Sequence, residues 1–161
     1  MDNGIRFTEL LAYTEEENRR WKEWFRGRPE ALTTPCDIGG SPTVHEFLLH
    51  IFTTDLHFAH RVAGLDRPDF KALPHSNVDE LFGIGEVAAG KFRDFIANAT
   101  SGDWNQIVPL GFADRKVTKR KMVAQALLHG VHHRAQLATL LRQRGLKQDW
   151  IHDFILSDAM A

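Results

Sequence analysis

The chain has 161 residues, of which 43% are hydrophobic, and its 20 lysines and arginines nearly balance 21 aspartates and glutamates. This suits one domain over residues 1–161 with a full hydrophobic core. A formal net charge of −1 gives no general attraction to phosphate or anionic lipid, so neither nucleic acid nor a membrane is an expected partner. The single cysteine, Cys36, excludes an internal disulfide, and the charged start does not resemble a signal peptide. We expect a cytoplasmic protein.

Two amphipathic segments open the chain, and each predicts a long helix. In the first, from about Ile5 to Arg26, apolar residues recur at steps of three and four. In the second, Ser41 is placed as an N-cap and Pro42 occupies the first helical position. This second helix is expected to continue to Gly64.

A third helix is predicted from Ser76 to about Ala99, although it contains three glycines. The stretch GIGEVA at residues 83–88 formally fits a dinucleotide-binding fingerprint, but that motif requires a preceding buried strand. A helix precedes it here. We therefore predict no cofactor site at this point and interpret the glycines as close helix contacts or a kink.

The helical pattern breaks between residues 103 and 117, where WNQIVPLGF indicates a strand-like loop. Thr118 is then placed as the N-cap of a fourth long helix that ends at Arg144. A short last helix is expected over Asp149–Asp158, closing one end of the protein through its apolar side chains. The predicted fold is therefore all-α, an up-down four-helix bundle with a short C-terminal helix.

Two of the nine histidines share one face of the fourth helix. At about 100° per residue, His129 and His133 lie some 40° apart within the apolar stripe, and His132 lies off it. Such an i, i+4 pair directs two imidazoles at one point, a geometry that suits metal ligands. The alternative is a pair of core histidines that are satisfied by hydrogen bonds.

A third ligand would come from the second helix, which offers several histidines. His50 and His57 both border the apolar stripe of this helix, whereas His60 faces away. These two are about 10.5 Å apart along the axis, so only one of them can join His129 and His133. Periodicity does not choose between them. A di-iron centre is not indicated, because Glu46 and His50 are spaced one residue too far apart for its motif.

Three stretches of the chain resemble the DinB/YfiT-like superfamily. HGVHHRAQLATLLRQRG at residues 129–145 is similar to the family's closing signature, HxxxHRGQL followed by LLRxxG, with Ala135 where glycine is frequent. TVHEFLLHIFTTDLHFAHRV resembles its second helix and FTELLAYTEEENRRW its first. The resemblance covers nearly the whole chain and implies the family's helical bundle.

The resemblance also implies a function. By analogy, His50, His129 and His133 would hold one divalent metal ion, with zinc and nickel the candidates because both accept imidazole. Some relatives transfer low-molecular-weight thiols to electrophilic substrates, and relatives commonly form homodimers. We therefore expect a metal-dependent thiol transferase. A metal-dependent hydrolase and a non-catalytic protein with a structural metal remain alternatives, and we assign no general base, because Glu15, Glu16 and Glu17 could face either the site or solvent.

Overall fold

The computed structural model describes residues 4–159. The helices are α1 (Phe7–Arg26), α2 (Val44–Ala63), α3 (Val78–Asn98), α4 (Ser101–Asn105) and α5 (Lys119–Gln143), and two short strands are β1 (Ile107–Pro109) and β2 (Lys116–Thr118). α1 and α2 each pack against both α3 and α5. This arrangement confirms the predicted all-α four-helix bundle.

One hydrophobic cluster fills the space between the four long helices. Its largest fully buried side chains are Trp21, Phe25, Phe47, Phe52 and Phe82. Each comes from the apolar stripe of α1, α2 or α3, as the helical periodicity requires. No helix in the described part of the chain is both long enough and apolar enough to cross a bilayer.

The beginning of α2 differs from the prediction by two residues. Thr43, not Ser41, is the N-cap, and its backbone is extended. The reason is tertiary, because the segment before the helix pairs with residues 34–36. Pro35 and Thr43 form an antiparallel bridge, and the amide of Cys36 donates to the carbonyl of Pro42 at 3.0 Å. A residue held in such a ladder cannot adopt helical angles at the same time. At its other end, α2 stops at Gly64 as predicted.

α3 is one continuous helix in spite of its glycines. Its N-cap is Asn77, one residue after the predicted Ser76, and the Asn77 side chain accepts a hydrogen bond from the amide of Glu80. Gly85 makes the close contact that the sequence suggested, since an added Cβ would lie 2.6 Å from Cδ1 of Phe52. Gly83 and Gly90 have open space at the same position, so close packing does not explain them.

The connection between α3 and α5 contains more structure than a loop. Thr100 caps the short helix α4 by accepting a hydrogen bond from the amide of Asp103. The strand-like stretch is confirmed, because β1 pairs with β2 in an antiparallel hairpin. Thr118 caps α5 as predicted by accepting from the amide of Lys121.

The predicted last helix over Asp149–Asp158 is wrong. Only Phe154–Leu156 forms a single 3₁₀ turn. The indole of Trp150 and the ring of His152 both bond to the same carboxyl group, that of Glu17, which is 1% exposed. Residues i and i+2 lie on one side of extended chain but about 200° apart on a helix. Contacts with α1 thus hold the tail extended.

The tail closes one end of the bundle only in part. Trp150 packs edge-on against Trp21 with ring centroids 5.0 Å apart, and Phe154 packs against Tyr13 at 5.3 Å. Ile151 and Ile155, which the predicted helix also turned inward, are exposed instead. The prediction that the tail packs against the bundle is therefore confirmed for Trp150 and Phe154 and wrong for Ile151 and Ile155.

Candidate metal centre

Three histidines converge in the groove between α2 and α5. His50 lies in the second turn of α2, and His129 and His133 lie one turn apart near the middle of α5. One ring nitrogen of each lies within 4.8 Å of those of the other two. The ring centroids of His129 and His133 are 4.2 Å apart, and each is 5.3 Å from that of His50. The predicted set is thus brought together, with His50 as its member from α2.

The two histidines of α5 lie at the edge of the core rather than inside it. The sequence placed His129 and His133 within the buried stripe, but both are half-buried and His50 is exposed. The edge of Phe47 packs against the ring of His133 at 5.1 Å between centroids. Apolar packing therefore holds one side of the group while the other side faces solvent, as a site open to ligands requires.

The hydrogen bonds of the rings show which nitrogens are occupied. Nδ1 of His133 donates to Oε1 of Gln136 at 2.6 Å, which leaves Nε2 of this ring as the free nitrogen. Nδ1 of His129 is buried and has no hydrogen-bond partner within residues 4–159. Burying an unpaired polar atom costs about 1–3 kcal/mol. A metal ion coordinated by that nitrogen would offset this cost.

Desolvation also favours the uncharged form of the three rings. It lowers the pKa of His129 to about 4, and the nearby rings of His133 and His50 add to this effect because a second positive charge would be repelled. Neighbouring side chains exclude part of the water around the ring of His133 and around that of His50, and this partial desolvation lowers the pKa of each from its ordinary value. All three imidazoles are therefore neutral near pH 7, the state in which histidine binds a metal.

These observations show that the residues present fit a divalent metal ion. Three neutral imidazoles converge, and the side-chain amide of Gln136 orients His133. The buried Nδ1 of His129 has no hydrogen-bond partner among the described residues. Within the described residues, the group contains these three histidines and no carboxylate or thiolate. Three such ligands would leave at least one further position, which is the composition of catalytic rather than structural zinc sites.

His57, the other candidate on α2, faces a different part of the protein. It is buried, and its Nε2 donates to the carbonyl of Leu110 at 2.7 Å, next to the β1–β2 hairpin. His60 also bonds elsewhere, to the carbonyl of Asp66. His132 is exposed on the outer face of α5, where its ring centroid is 5.1 Å from that of His133. The axial alignment of α2 against α5, which periodicity could not give, brings His50 rather than His57 beside His129 and His133.

Each of the three acidic residues considered on α1 has a partner outside the histidine group. Glu15 pairs with Arg93, and Glu16 pairs with Arg20. Glu17 is buried and bonds to the C-terminal tail. Within the described residues, none of these carboxylates belongs to the group that could hold a metal ion.

A groove runs beside the histidines along the outer face of α5. It has a volume of about 410 Å³, and its walls carry neutral amides and a hydroxyl together with one carboxylate and one imidazole. Its lining residues are Asp37, Ile38, His132, Ala135, Gln136, Thr139, Leu140 and Gln143. Gln136 belongs both to this groove and to the hydrogen bond that orients His133. The groove therefore adjoins the histidine group through Gln136 and through His132, whose ring lies beside that of His133.

The sequence interpretation missed Gln136. Its signal was available, because Gln136 follows His133 by three residues and so lies on the same helical face. At that spacing the side-chain oxygen of a glutamine can accept a hydrogen bond from an imidazole N–H, as Gln136 does from His133.

Comparison with known proteins gives a family for this arrangement. A search of curated proteins finds no match to the chain. The sequence model of the DinB family matches residues 1–158, which is nearly the full length. The helical bundle and the histidine group both agree with that match, and the chain belongs to the DinB family.

Proposed function

We propose that this protein is a metal-dependent transferase in which His50, His129 and His133 hold one divalent ion, zinc or nickel, that activates a low-molecular-weight thiol. The observation that carries the proposal is the convergence of three neutral imidazoles with no protein carboxylate among them. Because neutral ligands leave the double positive charge uncompensated, an anion is favoured at the open position. Free Cys36 is consistent with the proposed cytoplasmic location, where thiols stay reduced.

In this reaction the protein's own residues orient the metal-binding imidazoles and accommodate the substrate. A divalent ion bound at the site supplies a Lewis acid that lowers the pKa of a thiol or of water. Gln136 holds His133 in the tautomer with a free Nε2, and Phe47 fixes the plane of that ring. The groove along α5 offers room for the electrophilic substrate. The thiol sulfur forms a bond to an electrophilic carbon, the leaving group departs with the bonding pair, and the thiol proton passes to solvent.

Metal content tests the ligand set. The protein is purified without metal-affinity resin, and bound metals are measured by elemental analysis. We expect one divalent ion per chain in the wild type, loss of stoichiometric metal in His133→Ala, and retention in His132→Ala. His132 is the matched control because its ring is adjacent to that of His133 yet exposed on the outer face. Equal loss in both variants, or loss in neither, contradicts the assignment.

Cobalt substitution tests whether the site is open. In the transferase, low-molecular-weight thiols should change the absorption spectrum of the cobalt protein by direct coordination, and His129→Ala should abolish both that change and thiol transfer to an electrophile. A response to hydroxide and small anions without thiol transfer would favour the metal-dependent hydrolase. A spectrum that no thiol or anion alters would favour a metal that only stabilises the fold.

A further inference from the structure

A second polar cluster lies inside the bundle, one residue away from a proposed metal ligand. Arg134, which follows His133, is 5% exposed. Its Nη1 donates to Oδ1 of Asn18 at 3.2 Å, and its Nη2 donates to Oγ1 of Thr14 at 3.4 Å. Both acceptors belong to α1, one turn apart. A buried guanidinium is costly unless it is paired, so this cluster requires an explanation beyond packing.

The guanidinium is also confined from its own helix and from α2. On α5 it lies over Gly130, where an added Cβ would stand 3.1 Å from Nη1. On α2, Asp55 is 7% exposed and interacts with Arg134 electrostatically. The cavity lined by Asp55, Thr14 and Asn18 measures about 10 Å³, which is room for one water molecule at most. The guanidinium is thus hydrogen-bonded to α1, lies against its own helix at Gly130, and is attracted by the buried carboxyl group of Asp55 on α2.

We infer that Arg134 is a positioning residue for the metal site, because its hydrogen bonds to Asn18 and Thr14 of α1 fix the rotation of α5 at which His129 and His133 face His50. This inference rests on the proposed metal site. Its physical basis is that hydrogen bonds are directional whereas apolar burial is not. Burial of its apolar stripe determines which side of α5 faces the core. The hydrogen bonds of the guanidinium then determine the rotation of α5 about its own axis more narrowly.

A metal site is sensitive to that angle. On α5, Arg134 lies about 100° around the helix from His133, so a rotation that breaks its bonds to α1 also displaces both histidines relative to His50 on α2. An imidazole nitrogen about 6 Å from the helix axis moves roughly 0.2 Å for each 2° of rotation. Metal–ligand distances tolerate deviations of about 0.2 Å. The rotation of α5 must therefore be set within a few degrees.

Cobalt binding to the full chain tests the inference. Arg134→Met removes the charge and every donor while keeping most of the side-chain length, and Asn18→Ala removes the acceptor on α1. The matched control is Val123→Ala on α5, which loses buried apolar volume about 9 Å along the helix from His129 and leaves the polar cluster intact. Circular dichroism and thermal unfolding establish that each variant is folded before metal is added.

We expect Arg134→Met to weaken cobalt binding by tenfold or more and to change the absorption spectrum at saturating cobalt. Asn18→Ala should change the same spectrum to a smaller extent, and it carries the test if Arg134→Met does not fold. Val123→Ala should lower the melting temperature with an unchanged spectrum and affinity. Folded Arg134→Met and Asn18→Ala proteins with the wild-type spectrum and affinity overturn the positioning role alone. A wild-type chain that binds no cobalt overturns the proposed metal site itself.

Discussion

The three glycines of α3 offer a direct test of how closely α2 and α3 approach each other. Alanine is the better helix former by about 1 kcal/mol, so Gly→Ala in a helix interior is stabilising where space permits. At Gly83 and Gly90 an added Cβ meets nothing within 4 Å. At Gly85 it would lie 2.6 Å from Cδ1 and 2.9 Å from Cε1 of Phe52, far inside van der Waals contact.

The sign of the Gly85→Ala effect depends on whether Phe52 can move. Its side chain is 1% exposed and packs against Phe82 with ring centroids 4.9 Å apart, so a shift would disturb the centre of the core. Overpacking of this kind costs about 1–3 kcal/mol, which exceeds the gain in helix propensity. We expect Gly85→Ala to reduce the free energy of unfolding by about 1–2 kcal/mol. Gly83→Ala and Gly90→Ala should increase it by about 0.5–1 kcal/mol.

Thermal and urea unfolding of the three single variants measure these differences. For a chain of this length, 1 kcal/mol corresponds to roughly 2–4 °C in melting temperature. Gly83→Ala and Gly90→Ala are matched controls, since they make the same chemical change in the same helix. If Gly85→Ala were as stable as Gly83→Ala, then α2 and α3 would not be in close contact at this point, and the argument for a required glycine would be refuted.

Three further predictions concern pH, the tail and assembly. Because the pKa of His129 falls to about 4 on folding, the unfolded chain binds protons more readily below pH 6.5. Stability of the metal-free protein should therefore rise between pH 4 and 6.5, and less steeply in His129→Gln. Glu17→Ala should lower the free energy of unfolding by about 3 kcal/mol and expose the tail to proteolysis, because Trp150 and His152 lose their shared acceptor. The control Glu86→Ala, at an exposed ion pair, should lower it by under about 1 kcal/mol. Equal effects of the two substitutions would contradict this prediction. Light scattering should give twice the 18.3 kDa chain mass for the predicted homodimer, and a monomer at micromolar concentration would reject it.

The limits of the four long helices followed from local chemistry wherever the local signal had no competitor. Thr118 caps α5 and Gly64 ends α2 as predicted, because a cap bond or a left-handed glycine involves only neighbouring residues. At Ser41 and at Asp149–Asp158 the local signal was overruled. A bridge to Pro35 holds the first segment extended, and the buried carboxyl of Glu17 holds the second.

The candidate site divides in the same way. The spacing of His129 and His133 placed them on one helical face, since four residues return a helix to nearly the same angle. That His50 rather than His57 joins them depends on how α2 and α5 are aligned along their axes, and His57 bonds to the carbonyl of Leu110 instead. The partners of Arg134 come from two other helices. Periodicity assigns a side chain to a face of its own helix, but which side chain of another helix meets it is set by packing between segments that are distant in sequence.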